Sequence, residues 1–153
     1  EVTAATGKTE AESYFNNLGV KNIIDRKEFE DDSGKMLLKE KWSGVIDTVG
    51  GNLLSTAIKS TSYDGAVTCC GNAASAELDL NVYPFILRGI SLFGIDSVQC
   101  KRNLREDIWQ KIASDWKIDQ LDDLSNQVLL KDLNEQIDKM LAGNSKGRVI
   151  VKL

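Results

Sequence analysis

The sequence contains no histidine, and this absence excludes several kinds of catalytic site. None of its 153 residues is a histidine. Ser-His-Asp and Cys-His catalysis, zinc sites with histidine ligands and imidazole general bases are therefore excluded within this chain. The sequence by itself identifies no catalytic residue and no metal ligand.

Cysteine, proline and long apolar runs are also scarce. Cys69, Cys70 and Cys100 are odd in number and two are adjacent, which fits neither a disulfide framework nor a zinc site. We interpret them as buried thiols in a reducing cytosol, so the predicted compartment is the cytoplasm. The single proline argues against a Pro-rich linker or a disordered tail. No apolar run approaches the roughly 20 residues that span a bilayer, and the first five residues do not form a signal peptide.

What the chain does contain is ordinary globular chemistry. Hydrophobic residues make up 42% of the sequence and charged residues 27%, in a length that suits about one domain. The net charge is −4 and the isoelectric point about 4.9. Nucleic acids and anionic membranes are therefore not expected as main partners.

Strand and helix patterns alternate along the sequence. Short apolar runs predict strands at residues 2–5, 20–24, 44–49, 65–71, 90–95, 127–130 and 149–151. The run at 44–49 is apolar on both faces, which is typical of parallel sheets covered by helices. The alternation predicts an α/β fold with a doubly wound, Rossmann-like parallel sheet.

Helices are predicted between these strands from capping and periodicity. Thr9 and Glu12 form a capping box, a loose helix is expected within residues 26–42, and Asn52 is a candidate N-cap. A short helix begins near Pro84. Two later helices carry apolar stripes that we expect to be core positions. The stripe residues are Leu104, Ile108, Ile112 and Trp116 in one helix, and Leu133, Ile137, Met140 and Leu141 in the other.

Ligands of an open parallel sheet bind beyond the carboxyl ends of its strands, so the residues that follow each strand are the candidate site. They are residues 6–8, 25–26, 48–51, 70–72 and 96–98. Glycine occurs in three of these turns, where it permits close approach of a ligand but is also a common turn residue. Taken together, the turns favour a nucleotide. Asp47 and Asp96 lie near this edge, and we expect structural roles for both.

The turn Thr6-Gly7-Lys8 is the most informative of these. An NAD site usually carries an acid here, which holds the ribose 2′-hydroxyl. A hydroxyl and an ammonium could instead bind the 2′-phosphate of NADPH. The alternative is a solvated loop beside a helix cap, and the residue types alone leave both interpretations open.

Several blocks of the sequence together resemble a known family. They are residues 2–8, 18–20, 46–50, 70–71, 84–89, 92–98 and 147–152. In this order they resemble the C-terminal half of medium-chain dehydrogenase/reductases, and most of all the zinc-independent quinone oxidoreductases similar to acrylyl-coenzyme A reductase. The blocks Pro-Phe-Ile-Leu-Arg-Gly and Gly-Ile-Asp-Ser-Val are specific to that group.

The resemblance implies a cofactor site for NADPH. Thr6, Gly7 and Lys8 match the loop that holds the 2′-phosphate, and Arg148 matches a basic residue that reaches the cofactor. Thr48 matches a position beside the cofactor, Asn72 one near its nicotinamide half, and Leu87 and Val98 positions that line the nicotinamide pocket. The resemblance also implies a homodimer in which the strand from Ile90 to Ile95 joins two sheets.

The implied activity is hydride transfer from NADPH to a quinone or to an activated alkene such as acrylyl-coenzyme A. The alternative is a non-catalytic nucleotide-binding or interaction module. The Gly-x-Gly-x-x-Gly loop, the first Rossmann strand and the GroES-like catalytic domain of the family have no counterpart here, so residues 1–153 are predicted to be a partial Rossmann domain. Because unpaired buried backbone groups are costly, we expect the place of the first strand to be filled by other residues or closed by a changed strand order.

Overall fold

The computed structural model describes residues 1–8 and 11–153, which divide into two compact units. The first unit is Glu1–Arg102 and the second is Asn103–Leu153. The predicted capping box begins at Thr9 and so lies outside the described residues.

Strands and helices alternate through the first unit. They are β1 (Thr3–Thr6), α1 (Glu12–Asn17), β2 (Asn22–Asp25), α2 (Arg26–Phe29), β3 (Trp42–Asp47), α3 (Gly51–Lys59), β4 (Thr61–Cys69), α4 (Tyr83–Arg88) and β5 (Ser91–Gly94). All pairings are parallel: β1 pairs with β2, and β3, β4 and β5 form a sheet in that order. The predicted α/β fold with parallel strands is confirmed.

The second unit contains two helices and a two-stranded sheet. Helix α5 (Arg102–Ala113) begins at the boundary and is followed by β6 (Ser125–Leu129), α6 (Leu133–Leu141) and β7 (Arg148–Lys152). Strands β6 and β7 pair in parallel.

The core of the first unit lies where α3 packs on β4. Leu54, Ile58, Val67 and Ile90 form this cluster, and Ile58 and Val67 are 0% exposed. Burying each such side chain contributes about 1.5–3 kcal/mol before the entropy of ordering it is subtracted. The core therefore fixes the three-stranded sheet and the loops at its carboxyl edge.

A cavity of about 760 Å³ separates β1 from β3. Among the described residues, β1 pairs only with β2 and β3 only with β4. Closure of the sheet with a changed strand order was one of the outcomes expected from the sequence. The structure does not show it, because β1 and β3 stay apart. Ser43, Gly44 and Ile46 on the β3 wall are exposed, so the backbone there can be hydrated. The expected cost in free energy applies to unpaired backbone groups that are removed from water. The gap between β1 and β3 is open to solvent.

Four local predictions were wrong. The helix within residues 26–42 is only the four-residue α2, and the chain from 30 to 41 is irregular. Gly50 rather than Asn52 is the N-cap of α3; Asn52 lies inside the helix, and its side-chain oxygen accepts from the Asp31 N–H instead. The stripes of α5 and α6 are largely exposed, since a two-stranded sheet offers little surface to cover them. Cys70 is exposed and the other two cysteines are half-buried; all three are free.

None of the helices in residues 1–8 and 11–153 has the length and apolarity needed to cross a bilayer.

Candidate functional site

Three loops are held side by side at the carboxyl edge of the three-stranded sheet. The backbone bonds that join them run from Cys70 N–H to the Asp47 carbonyl (3.0 Å), from Ala74 N–H to the Val49 carbonyl (2.9 Å) and from Ile95 N–H to the Cys69 carbonyl (2.9 Å). The structure thus brings together the loops that carry Thr48, Asn72 and Val98, as the topology predicted. All three residues are exposed, and Val98 is 80% exposed.

Two glycines allow these loops to approach so closely. A Cβ at Gly71 would lie 2.5 Å from the Thr48 carbonyl oxygen. A Cβ at Gly50, whose φ is +73°, would lie 2.2 Å from the Ser75 carbonyl oxygen and 3.3 Å from the Asn72 Cα. Any larger residue at either position would push the loops after β3 and β4 apart.

The two carboxylates at this edge hold the loops in shape. Asp47 is buried, and its Oδ2 accepts a 2.9 Å hydrogen bond from the Gly50 N–H. The Oδ1 of Asp96 accepts from the N–H groups of Val98 (2.9 Å) and Gln99 (3.0 Å). Both carboxylates therefore have the structural role that the sequence predicted.

The turn after β1 forms a second part of the edge. The Lys8 N–H donates to the Thr6 hydroxyl over 3.1 Å, which bends the chain around Gly7. A Cβ at Gly7 would lie 3.3 Å from Nη2 of Arg26, so the absence of a side chain there leaves room for the guanidinium. The turn therefore combines a hydroxyl, a backbone that can be approached closely, and two cationic side chains.

Arg26 is the residue that sequence reasoning missed. It was noted at the end of the second strand but was not assigned to the cofactor. Because β1 and β2 are parallel and Thr6 is in register with Asp25, the residue after β2 lies beside the turn after β1. The Asp25 carboxylate accepts from the Lys27 N–H over 2.9 Å and so caps α2.

The two parts of the edge face each other across the cavity between β1 and β3. Thr6 and Arg26 line one side of its carboxyl end, and Asp47, Thr48 and Val49 line the other. A nucleotide bound beyond this edge would have the cationic turn on one side and the loops after β3 and β4 on the other.

The structure does not bring Leu87 to this edge. Leu87 precedes Arg88 in α4, and the Arg88 guanidinium binds the carbonyls of Lys59 (2.8 Å) and Thr61 (3.2 Å) at the amino end of β4. Leu87 therefore lies toward the opposite end of the sheet from Thr48 and Asn72. Arg148 belongs to the second unit, where it begins β7 and its Nη1 donates to the Gly147 carbonyl.

Comparison with known proteins identifies the family. The model of the zinc-binding dehydrogenase family matches residues 1–114. The chain belongs to this family. The predicted resemblance to the C-terminal part of zinc-independent medium-chain dehydrogenase/reductases is therefore confirmed.

Individual relatives match the chain over nearly its whole length. YhfP of Bacillus subtilis, provisionally named a quinone oxidoreductase, is 40% identical over 100% of the chain and 47% of its own length. The acrylyl-CoA reductase AcuI of Ruegeria pomeroyi is 36% identical over 99% of the chain and 46% of its own length. The chain thus spans about half the length of the curated relatives it matches.

Solved structures of such dehydrogenases share the fold. The crystal structure of YhfP with NAD bound matches with a TM-score of 0.93 over 100% of this chain and 47% of YhfP. The structure of Escherichia coli K-12 YhdH with bound NADPH, 30% identical, matches with a TM-score of 0.92 over 99% of this chain and 46% of YhdH.

The residues of this chain do not fit the metal in the family's name. The sequence has no histidine, and Cys69 and Cys70 are adjacent rather than spaced as zinc ligands. The described residues contain no group of three or more Cys, Asp or Glu side chains that could hold a metal ion. The described residues therefore cannot by themselves hold a zinc ion.

Proposed function

We propose that residues 1–153 are the nucleotide-binding part of an oxidoreductase that uses NADPH. The substrate class is a quinone or an activated alkene such as acrylyl-coenzyme A, which accepts the hydride. When bound, the cofactor supplies the hydride, and the residues of this chain bind and orient it.

The observation that carries the proposal is the cationic turn after β1. At the position where an NAD-binding domain has an acid, this chain has Thr6-Gly7-Lys8, and the Arg26 guanidinium lies against Gly7. Arginine and lysine bind phosphate through charge-assisted hydrogen bonds, and arginine does so with two donors at once. Two cations here favour a cofactor with a 2′-phosphate over one with a 2′-hydroxyl.

The loops after β3, β4 and β5 suit the other half of the cofactor. Thr48 and Asn72 offer polar groups, and Val98 offers an apolar surface beside them. Ligand sites commonly combine a mostly apolar lining with a few fixed polar groups. Backbone hydrogen bonds between the loops support this role because they fix the positions of all three residues before a ligand binds.

The names and ligands of the relatives support the same class of reaction. YhfP is provisionally named a quinone oxidoreductase and AcuI an acrylyl-CoA reductase. NAD is bound in the YhfP structure and NADPH in that of YhdH, so the relatives support a nicotinamide cofactor without choosing between the two. The choice of NADPH rests on Lys8 and Arg26.

The test is a pair of cofactor titrations on the longer polypeptide that we propose contains residues 1–153. We expect NADPH to bind at least about tenfold more tightly than NADH, which is the scale of one charge-assisted hydrogen bond. Oxidation of NADPH is then followed at 340 nm with acrylyl-coenzyme A and with a quinone. Equal affinity for both cofactors would contradict the NADPH assignment. Tight binding without turnover on either substrate would favour a non-catalytic nucleotide-binding module.

A further inference from the structure

The amino end of β4 carries a bulge. In the pairing of β3 with β4, Trp42 lies opposite Thr61 and Gly44 lies opposite Ala66, so two steps along β3 match five steps along β4. The three extra residues of β4 have no ladder partner on β3, as is usual for residues inserted into one strand of a pair. They project into solvent at Tyr63, which is 68% exposed.

The backbone of the bulge is strained at Asp64. Its φ is +57°, and among residues 1–8 and 11–153 it is the one residue other than glycine with a positive φ. An L-residue is unfavourable in this left-handed region and stays there only where its surroundings hold it. On the amino side of Asp64, the Tyr63 N–H donates to Oε2 of Glu40 over 3.3 Å. The strain at Asp64 is therefore held in place by the contacts of the bulge.

The residue after Asp64 has to be glycine. A Cβ at Gly65 would lie 2.4 Å from Cγ2 of Thr61 and 2.8 Å from the Ser62 carbonyl oxygen. The packing of the bulge therefore requires an unsubstituted residue directly after the strained aspartate. Asp64-Gly65 is the only Asp-Gly sequence in the chain, and Asn-Gly does not occur.

The Asp64 carboxylate is exposed and unbound. To the rest of the described chain it makes neither a hydrogen bond nor an ion pair. The two aspartates that are followed by serine, Asp32 and Asp96, differ in this respect. Oδ1 of Asp32 accepts from the Asn52 amide over 3.3 Å, and Oδ1 of Asp96 accepts from two backbone N–H groups. Only at Asp64 does a free carboxylate therefore precede an unhindered backbone nitrogen.

We propose that Asp64 is a site of spontaneous isomerisation to isoaspartate. The Gly65 amide nitrogen attacks Cγ of Asp64, an N–C bond forms, and the carboxyl hydroxyl leaves with the amide hydrogen as water. Glycine favours this attack because it has no side chain next to the nitrogen.

The product of this step is a cyclic succinimide, and water then adds to one of its two carbonyls. Addition at Cγ restores aspartate. Addition at the backbone carbonyl of Asp64 breaks its bond to the Gly65 nitrogen, so the main chain runs through Cγ and the α-carboxylate is freed. The left-handed linkage is thereby replaced by a longer one. The two steps release and consume one water, and they need no oxidant and no cofactor.

The experiment follows isomerisation residue by residue in the polypeptide that contains residues 1–153. Folded and guanidinium-denatured samples are incubated at neutral pH. Isoaspartate is located by peptide mapping and by methyl transfer from S-adenosylmethionine with an isoaspartyl carboxyl methyltransferase. We expect the rate at Asp64 in the folded protein to be within about tenfold of its denatured rate, and the rate at Asp96 to fall by more than about tenfold, because Asp96 must first release two hydrogen bonds. Comparing each residue with itself removes the intrinsic difference between Asp-Gly and Asp-Ser.

Asp64→Glu is the matched variant, because glutamate keeps the charge but would have to form a larger ring. It should abolish methyl acceptance at residue 64 and leave the rate at Asp96 unchanged. Hydroxylamine, which cleaves succinimides, should cut the wild type between residues 64 and 65 and not the variant.

Two results would overturn the proposal. One is a folded protein in which Asp64 forms no isoaspartate or is slowed as strongly as Asp96. The other is a folded protein in which neither residue is slowed, because unfolding rather than the bulge would then explain the reaction. NADPH is absent throughout, so failure of the proposed cofactor site cannot affect the result.

Discussion

At the residue scale, the two cations of the β1 turn are expected to distinguish the cofactors. In the longer polypeptide, Lys8→Glu should weaken NADPH binding by about 1–3 kcal/mol, since a charge-assisted hydrogen bond is lost. Arg26→Gln should also weaken NADPH binding, while NADH binding changes much less for both variants. Calorimetric titration with each cofactor measures the binding free energies. Lys27→Gln, on the same short helix as Arg26, is the matched control, and equal losses for NADPH and NADH would contradict the assignment.

Among the glycines at the carboxyl edge whose φ is negative, Gly71 is expected to lose the most stability on substitution by alanine. The 2.5 Å distance from an added Cβ to the Thr48 carbonyl is far below van der Waals contact, and backbone cannot move as a flexible side chain does. Gly71→Ala should lower the free energy of unfolding by about 1–3 kcal/mol, the range for overpacked sites. Urea denaturation measures this change in the free energy of unfolding. Gly94→Ala, where an added Cβ meets nothing within 4 Å, should leave the midpoint nearly unchanged.

The positions of some of these site residues could be predicted from the sequence, and those of others could not. The turns after the strands could be found because parallel strands end at one edge of a sheet, and the structural roles of Asp47 and Asp96 agree with their hydrogen bonds. Arg26 was missed because its place beside Gly7 depends on the register of β1 with β2. Leu87 was assigned by resemblance alone, and its place near the amino end of β4 depends on how α4 packs.

At the scale of elements, the loop before β3 is held to α3 by a titratable contact. Asp31 accepts from Lys59 Nζ over 2.5 Å, and its backbone N–H donates to Asn52 and Thr56 of α3. Hydrogen bonding to Lys59 lowers the pKa of Asp31 from 3.8 to about 2. A lowered carboxyl pKa stabilises the folded state above the unfolded value and is lost as pH falls through the folded value.

Stability should therefore decline between about pH 4 and pH 2, by about 1 kcal/mol or less for a partly exposed ion pair. In Asp31→Asn, the part of the stability loss that comes from protonation of Asp31 should be absent. Urea unfolding midpoints at several pH values measure the stability of both proteins. The pKa of Glu135 is also lowered, by its hydrogen bond with Lys139, so the difference between the two proteins is the informative quantity. Parallel pH profiles for the two proteins would show that Asp31 contributes nothing.

Strand β5 also has an open edge. It lies at the end of the three-stranded sheet, and Phe93 is 52% exposed. We propose that the strand from Ile90 to Ile95 pairs with its two-fold mate in a homodimer, which would cover the unpaired backbone. Sedimentation should give a dimer, and Phe93→Lys should shift it to monomer. A wild-type monomer at high micromolar concentration, with freely exchanging β5 amides, would refute this.

Strands were predicted more reliably than the helix within residues 26–42. Apolar runs predicted the strands, because short runs rich in β-branched and apolar residues between turn residues favour strands whether or not both faces are covered. The helix expected within residues 26–42 is absent beyond residue 29. The Asn52 side chain holds the backbone of Asp31 by accepting from its N–H and donating to its carbonyl, and the Asp31 carboxylate accepts from the Ser33 N–H. Asparagine and aspartate compete with helices in this way, and their spacing does not reveal their partners.

At the scale of the whole molecule, residues 1–153 by themselves are expected to bind NADPH weakly and to catalyse nothing. The glycine-rich pyrophosphate loop of the dinucleotide fold has no counterpart in this sequence, and the chain spans about half the length of its curated relatives. Fluorescence titration of the isolated chain with NADPH, together with an assay for its oxidation, checks both points. Binding as tight as that of the longer polypeptide would show that the loop is dispensable.

The division into three sheets could be predicted only in part. Strand order follows from the α/β pattern, and a missing strand follows from the absent glycine loop. The sequence did not reveal whether the two edges would close on each other. In the structure they stay apart, and residues 43, 44 and 46 of the β3 wall are exposed.

The strand pairings also bear on the rate and order of folding. Register partners in all the strand pairs are 19 to 25 residues apart, so each small sheet forms from neighbours in the sequence. Short loop closures make such pairings fast. Refolding of residues 1–153 should therefore begin with a fast phase in which these small sheets form, while their open edges favour aggregation until they are covered.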